Sequence, residues 1–154
     1  MTRWITDRTN DDVAQVKALA LKAKAGTWTE KEQAEWAAGM KGALSYMDYN
    51  RIESGIQEIA SILNASVSVK TDWDVNGYLT VSDASRWLSN IKSIRSLCSG
   101  KNDTPEIPAS LNYLHYTIIN QVEEILLDIE TIANNHLIYC SEPVCGGEPY
   151  YALC

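Results

Sequence analysis

Proline is missing from the first 104 residues; the four present are Pro105, Pro108, Pro143 and Pro149. A chain with nothing to break a helix over two thirds of its length reads as all-α. Basic charge is sparse as well. Thirteen Lys and Arg against twenty Asp and Glu give a net charge of -7, and the basic residues are scattered. An electrostatic grip on nucleic acid or anionic lipid needs clustered cations to displace counterions, so neither partner is expected. No apolar run approaches the ~20 residues of a membrane span. The opening "MTRWITDRTNDD" lacks the 7–15-residue apolar stretch of a secretory signal, so maturation in the cytosol is expected, with reduced thiols.

Chemistry-bearing motifs are also missing. There is no glycine-rich phosphate loop after a strand, no nucleophile elbow and no metalloprotease helix. No enzymatic activity and no cofactor are therefore expected. The two histidines, His115 and His136, fall at the ends of one apolar register; core-edge residues with hydrogen-bond partners are preferred to ligands or proton carriers. His136, Cys140, Cys145 and Cys154 offer one nitrogen and three sulfurs, but their spacing is poor for the tight knuckle of structural zinc. A Cys140–Cys145 disulfide formed in an oxidising exterior is a further option, and free thiols are the default. Cys98 reads as a small core residue. Glu123, Glu124, Asp128 and Glu130 read as a solvated helix face, and Asp7, Asp11 and Asp12 as turn and cap residues.

What is present is helical periodicity. At 154 residues, one domain burying roughly 68–70% of its unfolded surface is expected. Asn10 with Asp11 and Asp12 marks a helix start, followed by an apolar face of Val13, Val16, Ala20 and Ala23 that ends at Gly26. Thr29 and Glu32 fit a capping box for a short helix through Trp36. Tyr49, Ile52, Ile56, Ile59 and Leu63 lie on one helix face, as do Ala84, Trp87, Leu88, Ile91, Ile94 and Cys98 after a cap at Thr80 or Ser82. Between them, weak alternation at Val67 and Val69 and the turn signal Asn76-Gly77 admit a small β-hairpin near residues 66–79. The five tryptophans read as anchors of core or core edge; an exposed subset would suit a protein interface.

The strongest pattern is Leu111, His115, Ile118, Val122, Ile125, Ile129, Ile132 and His136, widened by Ile119, Leu126 and Ala133. Counted from Ala109 to Leu137, this helix would be about 43 Å long. Its start echoes an earlier stretch: Leu44, Tyr46, Tyr49 and Ile52 return as Leu111, Tyr113, Tyr116 and Ile119. Four identities suit two long helices obeying one packing rule better than they prove duplication. The expected organisation is a helical bundle over residues 1–137 and an extended tail over 138–154. Tyr139, Tyr150, Tyr151 and Leu153 of the tail are too aromatic and apolar for an idle terminus and are the expected interface anchors.

Three stretches, "WITDRTNDDVAQVKAL", "EWAAGMKGALSYMDYNRIESGIQEIASIL" and "IPASLNYLHYTIINQVEEILLDIE", resemble small structural proteins encoded among the tail genes of tailed phages and prophages of Gram-positive bacteria. The likeness extends over nearly the whole chain, including the short aromatic tail. It implies a tail or baseplate component of the virion, assembled in the bacterial host cytoplasm and acting through contacts with other virion proteins or with its own copies. No catalytic residue comes with it, and the tail cysteines depart from its pattern. The alternative is a small acidic inhibitor or adaptor that binds one host protein.

Overall fold

The computed structural model describes residues 3–98, 104–111 and 114–141, with side chains described through residue 135. It is all-helical: α1 (Asn10–Ala25), α2 (Glu30–Ala37), α3 (Tyr46–Ile62), α4 (Val81–Ser96) and α5 (Tyr116–Ser141), with no strand among the described residues.

Four helices begin with the same device. Thr9, Thr29, Ser45 and Thr80 each stand in a capping box with an acidic residue three positions on, which satisfies backbone N–H groups at the helix start. The cap of α1 is thus Thr9, one residue before the expected Asn10, because Asp12 reaches back to the Thr9 N–H at 2.7 Å. Its buried residue is Leu19 while Ala20 is exposed, so its inward face follows 13, 16 and 19. Gly26, at φ +69°, adopts the left-handed conformation that stops α1.

The core is built from α3, α4 and α5. Ile52, Ile56 and Ile59 of α3, Trp87, Ile91 and Ile94 of α4, and Val122, Ile125 and Leu126 of α5 are fully buried in one continuous cluster. The apolar seams read from the sequence therefore do face inward. α5, however, begins at Tyr116 rather than just after Pro108, and it runs through Ser141, so residues 138–141 belong to the helix. His115 lies just before it, exposed, with Nδ1 2.9 Å from the Thr117 hydroxyl.

The helices of this core point the same way. Arg51 faces Glu123 and Arg3 joins Glu58 to Glu130, so α3 and α5 rise together in register. Parallel helices need long returns, and extended straps supply them. The first, residues 3–8, descends the α3/α5 seam, with Trp4 5% exposed. The second, residues 65–73, returns between α3 and α4, and the third, residues 104–111, returns beside α4 and α5.

Extended backbone without a sheet must find other partners for its polar groups. Helix-borne asparagines provide them. Asn50 accepts from the Trp73 N–H and donates to the Trp73 carbonyl, both at 2.9 Å. Asn90 does the same to Ser68 at 3.1 and 2.6 Å, and Asn120 to Arg8 at 3.2 and 2.9 Å. A side-chain amide thus mimics one rung of a β-ladder. This explains why Val67 and Val69 alternate, yet no strand pairing forms over residues 66–79.

α1 and α2 stand apart. Close helix pairing joins α3, α4 and α5 to one another and reaches α1 and α2 only slightly. α1 buries only Leu19 and α2 buries nothing. The two are held by a Lys22–Glu32 ion pair and an edge-on contact of Trp28 with Trp36, ring centroids 6.2 Å apart.

Candidate interaction surface

The buried acids Glu53 and Glu123 are each ringed by hydrogen-bond donors from the chain itself. Glu123 is fully buried, which corrects its expected place on a solvated face. Its carboxylate accepts from both terminal nitrogens of Arg51, from Arg8 Nη2 at 2.9 Å and from the Ile5 N–H at 2.7 Å. Glu53, also fully buried, accepts from both terminal nitrogens of Arg86, from the Lys70 N–H at 2.8 Å and from the indole N–H groups of Trp73 and Trp87. A carboxylate has about four acceptor sites, and in both residues they are taken.

Such saturated carboxylates hold straps to helices; they have no lone pair aimed at open space. Glu130 acts likewise, accepting from the Trp4 indole at 2.7 Å and from Arg3. Among the described residues no buried side-chain nitrogen or oxygen lacks a partner. Of the four acids grouped by sequence, only Glu124 is exposed. Nor do the described residues hold three or more His, Cys, Asp or Glu placed for a metal ion. Cys98 is half-buried, and burial pushes its thiol pKa up, away from the reactive thiolate. The side chains of His136 and Cys140, and residues Cys145 and Cys154, lie outside the described residues.

The open surface is more informative. Between α2, the start of α3 and the turn at residues 74–77 lies an apolar groove of about 420 Å³, lined by Trp36, Met40, Tyr46, Met47, Tyr49 and Val75 among others. Tyr49 forms its floor. It stacks edge-on to Trp73 and Trp87 at 5.0 and 6.0 Å, and burial raises its phenol pKa. The rim is apolar rather than charged: two unbranched methionines, a residue type that adapts to irregular partners, and Val75, 76% exposed. Trp36 at 40% and Tyr78 at 75% extend the apolar surface on either side.

Gly39, Met40 and Met47 also wall a second, wider hollow of about 610 Å³, which is charged, with Asp7, Lys41, Asp48 and Arg51 in its lining. Lys41 is paired to Asp7 at 2.8 Å, which raises the lysine pKa and lowers that of the aspartate. The apolar groove and the charged hollow thus lie on either side of the α2–α3 connection.

Of the interface residues expected from sequence, Tyr139 is placed on α5 without a described side chain, and Tyr150, Tyr151 and Leu153 lie outside the described residues. The groove was not foreseen. Its sequence signals are Trp36, one of the tryptophans whose exposure would suit an interface, and Val75 and Tyr78 flanking a polar turn, where apolar residues have no core to enter. No helix of the described residues is long and apolar enough to cross a membrane.

Compared with known protein families, with curated proteins and with solved structures, the chain matches none.

Proposed function

We propose that the protein is a structural component of a phage tail or baseplate, working by protein–protein assembly with other virion proteins and with its own copies. The observation that carries this reading is the groove: an apolar, methionine-rimmed recess with exposed Trp36 and Val75, next to a bundle in which, among the described residues, every buried side-chain nitrogen and oxygen has a partner. Exposed apolar surface of this kind marks contact sites. The resemblance of the three quoted stretches to phage tail-gene proteins supplies the setting, and the acidic charge argues for protein partners over nucleic acid. The extended C-terminal tail belongs to the same proposal, as an arm rather than a free end.

The test is mass spectrometry of particles purified from the bacterium that encodes the chain. A virion component is recovered in particles in stoichiometric amount. Recovery only in the soluble fraction, bound to a single host protein, would replace this reading with that of an acidic inhibitor or adaptor.

A further inference from the structure

The apolar groove and the exit of the C-terminal segment lie at opposite ends of the bundle. Tyr46, Met47 and Tyr49 place the groove at the first turns of α3. Arg51 pairs with Glu123, an offset of 72 positions (123 − 51), and the Arg3 bridge between Glu58 and Glu130 repeats that offset (130 − 58). The residue of α5 level with Tyr46 is therefore Ile118. From there to Ser141, the last residue of α5, the helix climbs about 35 Å at 1.5 Å per residue.

Length then decides who can fill the groove. Tyr150 is nine residues beyond Ser141, and nine residues span at most about 32 Å when fully extended. Pro143, Gly146, Gly147 and Pro149 lie within that stretch and favour turns over a straight run. Tyr150 therefore falls short of its own groove, and Tyr151, one residue further and at most about 36 Å out, would match the climb only as a straight run with nothing left for the lateral distance across the bundle. A neighbouring copy placed end to end has no such limit.

We propose that residues 142–154 of one copy dock in the Trp36–Met47–Val75 groove of the next, joining copies head to tail. The occupant suits the recess. Tyr150, Tyr151 and Leu153 bring two rigid aromatics and an aliphatic group, each tyrosine burying roughly 150–250 Å², to a rim of methionine and tryptophan. The contact uses different surfaces on its two sides and is heterologous, so it closes into a ring or extends as a filament rather than stopping at a two-fold dimer. One such contact buries less than the ~800 Å² per partner of a stable interface; association is concentration-dependent and is reinforced where a ring closes. The inference rests on the assembly reading above and names which surfaces meet.

The experiment uses the full chain in reducing buffer, with light scattering over a range of concentrations and circular dichroism to verify the fold. One variant removes the arm's anchors (Tyr150→Ala, Tyr151→Ala, Leu153→Ala). The other charges the groove at exposed positions (Trp36→Glu with Val75→Glu, and Val75→Glu alone as the milder form). The wild type is expected to self-associate, each variant alone to run as a 17.2 kDa monomer, and an equimolar mixture of the two to give a two-chain species, since one intact arm then meets one intact groove. A wild type that stays monomeric, variants that associate as the wild type does, or a mixture that stays monomeric would each overturn the docking. Recovery of the arm variant in particles at the wild-type level would overturn it while leaving the virion assignment standing.

Discussion

Arg51 on α3 and Glu123 on α5 meet in a two-pronged ion pair, and with it the two halves of the chain are set side by side. Arg8 from the first strap and Asp48 from α3 complete the cluster. Ions removed from water must be paired and fully hydrogen-bonded to be tolerated. Here the requirement fixes register: sliding α5 by one turn would part Glu123 from Arg51 and Arg8 and leave the buried carboxylate without those cations.

The neighbouring glutamates should therefore respond in opposite ways to truncation. Glu123→Ala removes the carboxylate that Arg51 and Arg8, 4% exposed, share, leaving Asp48 alone to both cations, and should cost about 3–5 kcal/mol, as breaking a buried pair does. Glu124→Ala, on the exposed face, should stay within about 0.5 kcal/mol. Ile125→Asp, at a fully buried position, should be at least as severe as Glu123→Ala. Urea denaturation of the three variants checks the order, and similar midpoints for Glu123→Ala and Glu124→Ala would refute the register.

Gly55 is where the first strap depends on the absence of a side chain. A Cβ there would stand 2.3 Å from the Trp4 ring, and that ring is held by its indole bond to Glu130. Gly55→Ala should destabilise by roughly 1–3 kcal/mol through overpacking. In a Trp4→Leu background the same change should cost less than half as much, because the obstructing ring is gone. A double-mutant cycle by chemical denaturation measures this, and equal costs in both backgrounds would show that the strap does not lie there.

The asparagine clamps make a pH-dependent prediction. Asn50→Asp at neutral pH places a carboxylate oxygen against the Trp73 carbonyl, where the amide now donates at 2.9 Å. Loss of the donor should cost about 1–3 kcal/mol. A protonated carboxyl donates again, so the folded state favours the neutral acid and raises its pKa above the unfolded value. The defect should then shrink as pH falls through that raised pKa, whereas Asn50→Ala should cost the same amount throughout. Thermal unfolding at pH 7 and pH 4 distinguishes them; parallel losses would remove the clamp from the account.

Much of the helical core was legible because apolar residues at 3-4 spacing report burial directly. Ile52, Ile56 and Ile59, then Trp87, Leu88 and Ile91, were placed correctly on that evidence. The same rule misplaced Glu123, since periodicity treats a charge as outward, and its partners Arg51 and Arg8 are remote in sequence. It also started α5 too early, because Leu111 is buried from a strap rather than from a helix. The echo of Leu44, Tyr49 and Ile52 in Leu111, Tyr116 and Ile119 accompanies two parallel neighbours. Tyr49, Ile52 and Ile119 are each buried, but Ile119 lies outside the cluster that holds Tyr49 and Ile52. The groove was illegible for a simpler reason: it forms where residues 36–49 meet residues 75–77, and no local pattern encodes that meeting.

The α1–α2 pair should open in acid before the core does. Lys22, by its hydrogen bond, holds the Glu32 carboxyl down to about 2, with the Thr29 backbone N–H assisting. Its ordinary value is 4.5. A carboxyl whose folded pKa is depressed contributes stability that is fully present above the unfolded value and is lost as pH falls through the folded one. Glu32 should therefore hold the capping box and the ion pair intact above pH 4.5 and release them progressively down to about pH 2. Because α1 and α2 bury so little, the Trp28–Trp36 edge contact is left to secure them to one another as the pair is protonated. The indole NMR signals of Trp28 and Trp36, which are in edge contact in the folded pair, report the opening directly. In the wild type they should shift together between pH 4.5 and 2 while the signal of fully buried Trp87 holds its position at the start of that range. In Glu32→Gln they should already sit at the opened position at pH 6 and show no further step. A variant that retains the wild-type shifts at pH 6 would mean that the tryptophan contact, and not the ion pair, keeps the two helices together.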